Sequence, residues 1–394
     1  MTYDNRWRSA DQLPARAITE GIIDELGSLD TTTGGTSSRH SLNVYIEQPN
    51  LQLSAYAIDY GMALVSNFTY FLDDPINGDQ FEQVDNRWLL GGHARLQHQS
   101  QFAGKPLHQE IGVELRYDNI DEVGLYKTRQ AQRLGVVRSD SVQELSTSVH
   151  WQGEWGWNER LRSLIGLRYD HFAFNVESRV EDNIYDVNLA PNSGTERQGL
   201  ISLKGNLIYT LNPDWEVYAA FGQGFHSNDA RGTTISVDPT DGTVLDKVDP
   251  LVQSHGAELG VRGYWGKRAN VSLALWQLSL DSELLFVGDA GNTEASRKSR
   301  RRGVEVTTYY QLSDRWTLDL EFAYTDASFV DSAPAGDQIP GALKTVWQLG
   351  ISHNTPNGWF GSLRLRYFGS RPLEESGRVT SDSSTLVNLR AGYR

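Results

Sequence analysis

Apolar and polar residues alternate along most of this chain, in segments of about ten residues. In residues 363–367 (LRLRY) apolar side chains alternate with arginine, and residues 387–393 (VNLRAGY) repeat the pattern. Successive side chains of a β-strand point to opposite faces, so each segment has one apolar face and one polar face. The pattern therefore predicts an all-β, antiparallel protein.

The connections between these segments are short and long in turn. Short polar turns hold Gly, Pro, Asn or Asp, for example at 104–106 and 212–214. Long hydrophilic loops are predicted at 71–83, 127–141, 179–196 and 226–252. This alternation is typical of a transmembrane β-barrel, in which short turns face the periplasm and long loops face outside.

We therefore predict a partial barrel of about fifteen antiparallel strands within residues 38–394, preceded by an extracellular loop region at 1–37. A short helix is predicted within 15–26 (ARAITEGIIDEL). The first and the last of these strands both run inward, so an outward strand must precede residue 40. An odd count, a start without a signal-peptide pattern and an end without an aromatic residue predict a fragment truncated at both ends.

Composition narrows the class of protein. Only 39% of the 394 residues are hydrophobic and the mean hydropathy is −0.47, and no apolar run approaches the ~18 residues of a membrane helix. The 17 Tyr and 11 Trp suit aromatic girdles at two membrane interfaces. The net charge of −14 argues against a nucleic-acid partner. There is no cysteine.

Strand alternation assigns the predicted faces. In the second strand Tyr56, Ile58, Tyr60 and Met62 are expected to form an exposed apolar face. Charged residues on the polar faces are expected to point into the lumen, where they guide an anionic ligand or pair with each other across strands. These residues are Glu114, Arg116, Asp118, Arg168, Asp170, Glu305, Arg364 and Arg366.

The long loop at 226–252 contains the best ligand-binding candidates. His226, Asn228, Asp229 and Arg231 offer donors, acceptors and a cation at the mouth of the barrel. The alternative is a folded-back loop whose polar groups satisfy one another. The basic run at 297–302 (RKSRRR) is expected at the outer rim, where it meets lipopolysaccharide phosphate or bridges to acidic loops.

No signature of catalysis is present. The sequence has no HExxH, GxSxG or Walker motif and no cysteine nucleophile, so we predict a non-enzyme without cofactor or metal. Asp73, Asp74, Asn77 and Asp79 offer oxygen ligands, but they lack the spacing of an EF-hand, and an Asx-rich turn is expected instead.

Several stretches together resemble the β-barrel of TonB-dependent outer-membrane receptors. They are DPINGDQFEQ (74–83), YAAFGQGFHSNDARG (218–232), DPLVQSHGAELGVRG (249–263), SRRRGVEVTTYYQLSDRWTLDLEFAYTDASF (299–329), IPGALKTVWQLG (339–350) and LVNLRAGYR (386–394). The resemblance implies a barrel of about 22 strands with a plugged lumen, of which these fifteen are roughly the sixth to the twentieth. The plug, the TonB box and the last two strands are expected to be absent from this chain, and binding of the plug is a further possible role for the lumen-facing charges.

The resemblance also implies a function. We expect an outer-membrane receptor, energised by TonB, that takes up a scarce substrate such as an iron–siderophore complex. Its partners would be the TonB complex through the absent plug, outer-membrane lipid and lipopolysaccharide, and a small ligand such as a ferric siderophore; it would be a monomer without nucleic acid. The alternatives are a plugless, porin-like diffusion channel and a soluble β-rich ligand-binding protein.

Overall fold

Antiparallel β-strands make up almost all of the computed structural model, which describes residues 2–8, 12–266, 268–287 and 292–394. The strands are β1 (Thr2–Arg8), β2 (Gly34–Gln48), β3 (Leu51–Ser66), β4 (Phe81–Phe102), β5 (Lys105–Arg129), β6 (Gln132–Gly156), β7 (Leu161–Ser178), β8 (Gly194–Asn212), β9 (Trp215–Ser227), β10 (Leu251–Trp265), β11 (Ala269–Leu280), β12 (Leu284–Val287), β13 (Asn292–Ala295), β14 (Ser299–Gln311), β15 (Trp316–Ala333), β16 (Gly336–Gln338), β17 (Thr345–His353), β18 (Trp359–Phe368) and β19 (Ser384–Tyr393). The helices are α1 (Ala15–Thr19) and α2 (Ala230–Thr234), with a 3-10 turn at Ala190–Asn192.

The strands form a meander in which each wall strand pairs antiparallel with the next along the chain. Among the described strands β12 and β13 pair with each other alone, and β16 adds to the outer end of β15. β1 and β19 are the two edges, so the sheet is not closed within the described residues. Local hairpin connections of this kind are those of an up-and-down barrel.

The predicted fold class is confirmed, and the fifteen predicted strands correspond to β2–β11, β14, β15 and β17–β19. The outward strand expected before residue 40 is β1, whose Thr2 pairs with His40 and whose Arg8 pairs with Gly34. The prediction of loop for the part of 1–37 outside the short helix is therefore wrong for β1. Its sequence, TYDNRWR, has little apolar alternation, and its partner lies more distant in sequence than a hairpin allows.

The long loop predicted at 127–141 is also wrong, because β5 and β6 continue through it as one long hairpin. The hairpin turns at Gln130 and Ala131, which both have positive φ angles, 51° and 58°. Two successive positive φ angles define the turn type whose twist matches that of antiparallel strands. Neither residue is a usual choice for that conformation, so the turn gave no signal in the sequence.

The outward face of the sheet is apolar, and large side chains such as Leu42, Ile201 and Leu259 keep 70%, 59% and 61% of their surface accessible. A soluble sheet would bury such a face, whereas a barrel turns it to lipid. At the strand ends that carry short turns, Phe102, Trp155 and Trp157 pack with ring centroids 6.2–6.3 Å apart, as expected of an interfacial girdle.

The face assigned to β3 from its sequence is reversed. Tyr56 lies over Gly91, which pairs with Arg116, so Tyr56, Ile58, Tyr60 and Met62 face the lumen. Ala55 and Ala57 pair with Val44 and Leu42 and share the outward face. Both faces of this strand are apolar, so alternation alone could not say which one meets lipid.

The described residues include no helix that is both long enough and apolar enough to span a membrane. The helix predicted within 15–26 is confirmed only for α1, which is five residues long.

Candidate functional site

The loop between β9 and β10, residues 228–250, folds into the outer mouth of the lumen and packs on the wall. Asp229 caps α2 by accepting a hydrogen bond from the backbone N–H of Arg231 at 2.9 Å. Thr234 donates from its hydroxyl to the carbonyl of Asn192 at 2.8 Å, which fixes the end of α2 to the loop between β7 and β8. The loop is therefore held in the outer mouth by its contact with the neighbouring loop.

An apolar cluster under α2 holds this loop in place. Ala230 has no accessible surface and packs with Phe174, which is 2% exposed, on the lumen face of β7. Ile120, Val142 and Val176 complete the cluster. Burial of this apolar surface, rather than polar contacts alone, stabilises the folded loop.

Beside the cluster lies a cavity of about 480 Å³ between the loop and strands β3–β6. Its lining is strongly charged, because lumen-facing residues of four strands meet the loop there. The ionisable residues that line it are Asp85, Arg87, Arg138, Glu144, Asp229 and Arg231. Met62, on the face of β3 that had been expected to meet lipid, lines it as well.

Most charges of the cavity are paired. Arg231 donates to the Asp229 carboxylate at 3.0 and 2.6 Å, and Arg138 donates to Asp140 at 3.1 Å. Arg87 donates to Asp85 at 2.7 Å and lies 3.7 Å from Asp118. These pairs hold the guanidinium groups in fixed positions along the cavity wall.

The loop pair has perturbed acid–base properties. Burial alone would raise the pKa of Asp229, but the guanidinium groups of Arg231 and Arg138 overcome it, and this pKa lies well below its usual value. Burial would likewise lower the pKa of Arg231, but the Asp229 carboxylate raises it. Both groups are therefore charged at neutral pH.

Glu144 is the exception. It faces the cavity from β6, yet it forms no hydrogen bond or ion pair with any residue in the described part of the chain. The charged groups near Glu144 are two carboxylates, Asp118 and Asp229, and two guanidinium groups, Arg87 and Arg116. A cavity whose arginines are already paired thus retains one carboxyl group without a partner among the described residues.

The structure brings three of the four predicted loop residues to this cavity: Asn228, Asp229 and Arg231. Asn228 donates to the carbonyl of Asp249 at 2.7 Å. His226 lies at the end of β9 opposite Val252 and does not line the cavity. The contacts agree with the folded-back alternative, although the loop residues still face an open space. Sequence reasoning missed Arg87, Arg138 and Glu144, which the alternation of β4 and β6 could have indicated.

The predicted lumen charges lie on the inner face, and in the described part of the chain all but Glu305 form hydrogen bonds or ion pairs along and across strands. Arg116 donates to Asp118 at 2.6 Å, and Arg168 donates to Asp170 at 2.9 Å and to Glu114 at 3.0 Å. In the later strands Arg364 donates to Asp319 at 3.2 Å and Arg366 to Gln348 at 2.8 Å. These contacts support wall stabilisation as their role.

The remaining loop candidates have local partners. In the basic run Arg297 donates to Glu375 at 2.8 Å, Arg301 donates to Glu283 at 2.9 Å, and Lys298 lies 3.2 Å from Asp281, so the run bridges to acidic residues of the outer loops. Asp79 accepts from the backbone N–H of Leu72 at 2.7 Å and of Asp74 at 2.8 Å, as in an Asx-rich turn. Among the described residues no group of three or more His, Asp or Glu could hold a metal ion.

A family model of the β-barrel of TonB dependent receptor-like proteins matches residues 2–394. An uncharacterized TonB-dependent receptor of Haemophilus influenzae is 23% identical over 215 residues, which are 52% of this chain and 58% of that protein.

Solved structures show the same fold. The ferric yersiniabactin uptake receptor of Yersinia pestis has a TM-score of 0.70 at 12% identity and is matched over 92% of this chain and 54% of that one. The unliganded ferric citrate transporter has a TM-score of 0.71 at 14% identity, over 92% and 54%. A copper transporter has a TM-score of 0.70 at 14% identity, over 93% and 59%. This chain thus spans little more than half the length of these proteins.

Proposed function

Because this chain belongs to the TonB-dependent receptor family, whose β-barrels are outer-membrane proteins, we propose that it forms the wall of an outer-membrane uptake receptor. The match of the family model to residues 2–394 carries this proposal. The apolar outward face and the polar, ion-paired inner face support it, because a membrane wall needs lipid on one side and a hydrated lumen on the other.

The cavity at the outer mouth is the proposed place of substrate capture. It is bounded by a loop that is held on the wall, and it offers fixed guanidinium groups and the carboxyl group of Glu144. Such a lining suits a polar ligand with both acceptors and donors, such as a ferric siderophore. The solved relatives named for ferric yersiniabactin and ferric citrate support this substrate class.

Transport through such a wall would be energised by TonB, acting through a plug and a TonB box. The charged lumen face would contact the plug. Lipopolysaccharide would meet the basic run at the outer rim, and the receptor would act as a monomer. An enzymatic role has no support from the relatives, which are named as receptors and transporters.

Uptake of radioactive iron presented as a panel of ferric siderophores tests the proposal. We expect deletion of the gene to abolish uptake of one siderophore, and the full-length gene to restore it only when TonB is present. Glu144→Gln should weaken uptake, whereas Glu177→Gln, at an exposed position of β7, should not. Uptake that persists without TonB would instead identify a porin-like channel, and no uptake of any siderophore would refute the substrate class.

A further inference from the structure

A second cavity of about 470 Å³ lies on the inner wall at strands β4–β8. The strand register places Arg95, Gly112, His150, Arg168 and Ser202 side by side in one row, with one residue from each strand. Residues that pair directly across an antiparallel sheet point to the same face. The row therefore brings two guanidinium groups, an imidazole and a hydroxyl together in the lumen.

The next row supplies a lysine. Lys204 of β8 lies opposite Gly166 of β7, and its aliphatic stem lies over that glycine, where any side chain would collide with it. Its ammonium group donates to the side-chain oxygen of Gln152 at 2.7 Å. Within the described part of the chain Lys204 forms no ion pair, so no carboxylate directly offsets its charge.

Three polar atoms of the first row are buried and lack a hydrogen-bond partner among the described residues. They are the Ser202 hydroxyl, the Arg95 Nε and the His150 Nδ1. Ser202 is only 8% exposed and lines the cavity. The hydroxyl and the guanidinium Nε–H are donors, and the imidazole Nδ1 is a third donor when the ring is protonated. Buried donors without partners are uncommon in folded proteins, and here they share one row beside a cavity.

One cation of the lining has no ion-pair partner among the described residues. Arg95, Arg168 and Lys204 are its cations, and Glu110 and Glu114 are its carboxylates. Glu114 is shared, at 3.0 Å from Arg168 and 3.5 Å from Arg95, while Asp170 binds Arg168 from outside the lining. Glu110 receives hydrogen bonds from Gln97 at 3.1 Å and from His150 at 3.3 Å. The ammonium of Lys204 is therefore the cation of the lining without a carboxylate partner.

We propose that this wall cavity is an anion site, in which Lys204, Ser202 and Arg168 bind a carboxylate or phosphate group of a small molecule. Cations with neutral donors around them are the chemistry that recognises such oxyanions. The inference rests on the proposed uptake function, because it places the anionic group of the cargo on the lumen wall, away from the loop that covers the mouth.

Equilibrium binding of labelled inorganic phosphate to the full-length receptor, purified in detergent, tests the site directly. We expect saturable binding by the wild type. Lys204→Gln should weaken it roughly tenfold or more, the size expected for a hydrogen bond between charged groups. Ser202→Ala removes only one hydroxyl and should also weaken it. Lys247→Gln is the matched control, because Lys247 pairs with Glu196 at 3.0 Å in the outer loops.

No phosphate binding by the wild type, or equal binding by the wild type and both site variants, would overturn the anion site. If Lys204→Gln lowers the thermal unfolding midpoint, Ser202→Ala alone decides the question. The result is independent of the uptake assay. A receptor that takes up a ferric siderophore but binds no phosphate refutes only this site, whereas one that binds phosphate and takes up no siderophore refutes only the proposed cargo.

Discussion

Phe174→Ala should release the loop at 228–250 from the wall without opening the barrel. Phe174 is 2% exposed, and it is the largest side chain of the cluster that buries Ala230. Phe-to-Ala changes in a core cost about 3–5 kcal/mol. Because Phe174 also packs on Phe172, with ring centroids 6.0 Å apart, we assign about half of that cost to the contact with the loop.

A loss of about 2 kcal/mol in loop docking corresponds to a rise of roughly thirtyfold in the population of the open loop. Hydrogen exchange of amides 230–234 and tryptic cleavage after Lys247 report this population when opening is fast and reversible. Both should rise roughly thirtyfold in the full-length receptor in detergent.

Phe221→Ala provides the matched control. Phe221 lies on β9 and is 46% exposed on the outward face, so its removal should leave exchange and cleavage in the loop unchanged. An unchanged loop in Phe174→Ala, or an equal increase in both variants, would refute the conclusion that the apolar cluster anchors the loop.

Three further predictions concern the mouth and the wall. The lowered pKa of Asp229 means that its contribution to loop stability is present above about pH 4 and is lost as the pH falls through the folded-state pKa. Pepsin cleavage within 228–250 should therefore rise from pH 4 towards 2. An equal pH response in Asp229→Asn would contradict this. Gln80→Leu should lower the free energy of unfolding by about 2–4 kcal/mol, because the buried Gln80 amide donates to Asp30 at 2.6 Å and accepts from the backbone N–H of Ala131 at 2.7 Å. The thermal unfolding midpoint measures this loss. Gln101→Leu, at an exposed position, is the control. Arg297→Ala should loosen the outer loops, because Arg297 donates to Glu375 at 2.8 Å and to the carbonyls of Asp331 and Gly336. Faster proteolysis within 334–342 would report this loosening. Unchanged proteolysis would show that these contacts are dispensable.

The strands themselves could be predicted from the sequence. Period-two alternation and turn residues depend on local chemistry, so all fifteen predicted strands appear as β2–β11, β14, β15 and β17–β19. The need for an outward strand before residue 40 followed from the inward direction of the first predicted strand. The strand itself, β1, could not be located, because its polar sequence becomes a strand only through pairing with β2.

Tertiary structure decided which face of a strand is the inner one and where loops end. β3 is apolar on both faces, and only its pairing with β2 and β4 turns Met62 into the lumen. The hairpin at Gln130 and Ala131 forms because the twist of two long paired strands favours a turn that neither residue favours alone.

The candidate site shows the same division. The sequence indicated Asn228, Asp229 and Arg231, because polar loop residues next to a strand end are visible locally. Alternation can mark Glu144 or Arg138 as inward-facing, but it could not place them beside the loop, because they are distant from it in sequence and meet it only when the loop folds onto the apolar cluster. Local patterns fix secondary structure, whereas the meeting of distant side chains depends on register and loop packing, which belong to the folded chain as a whole.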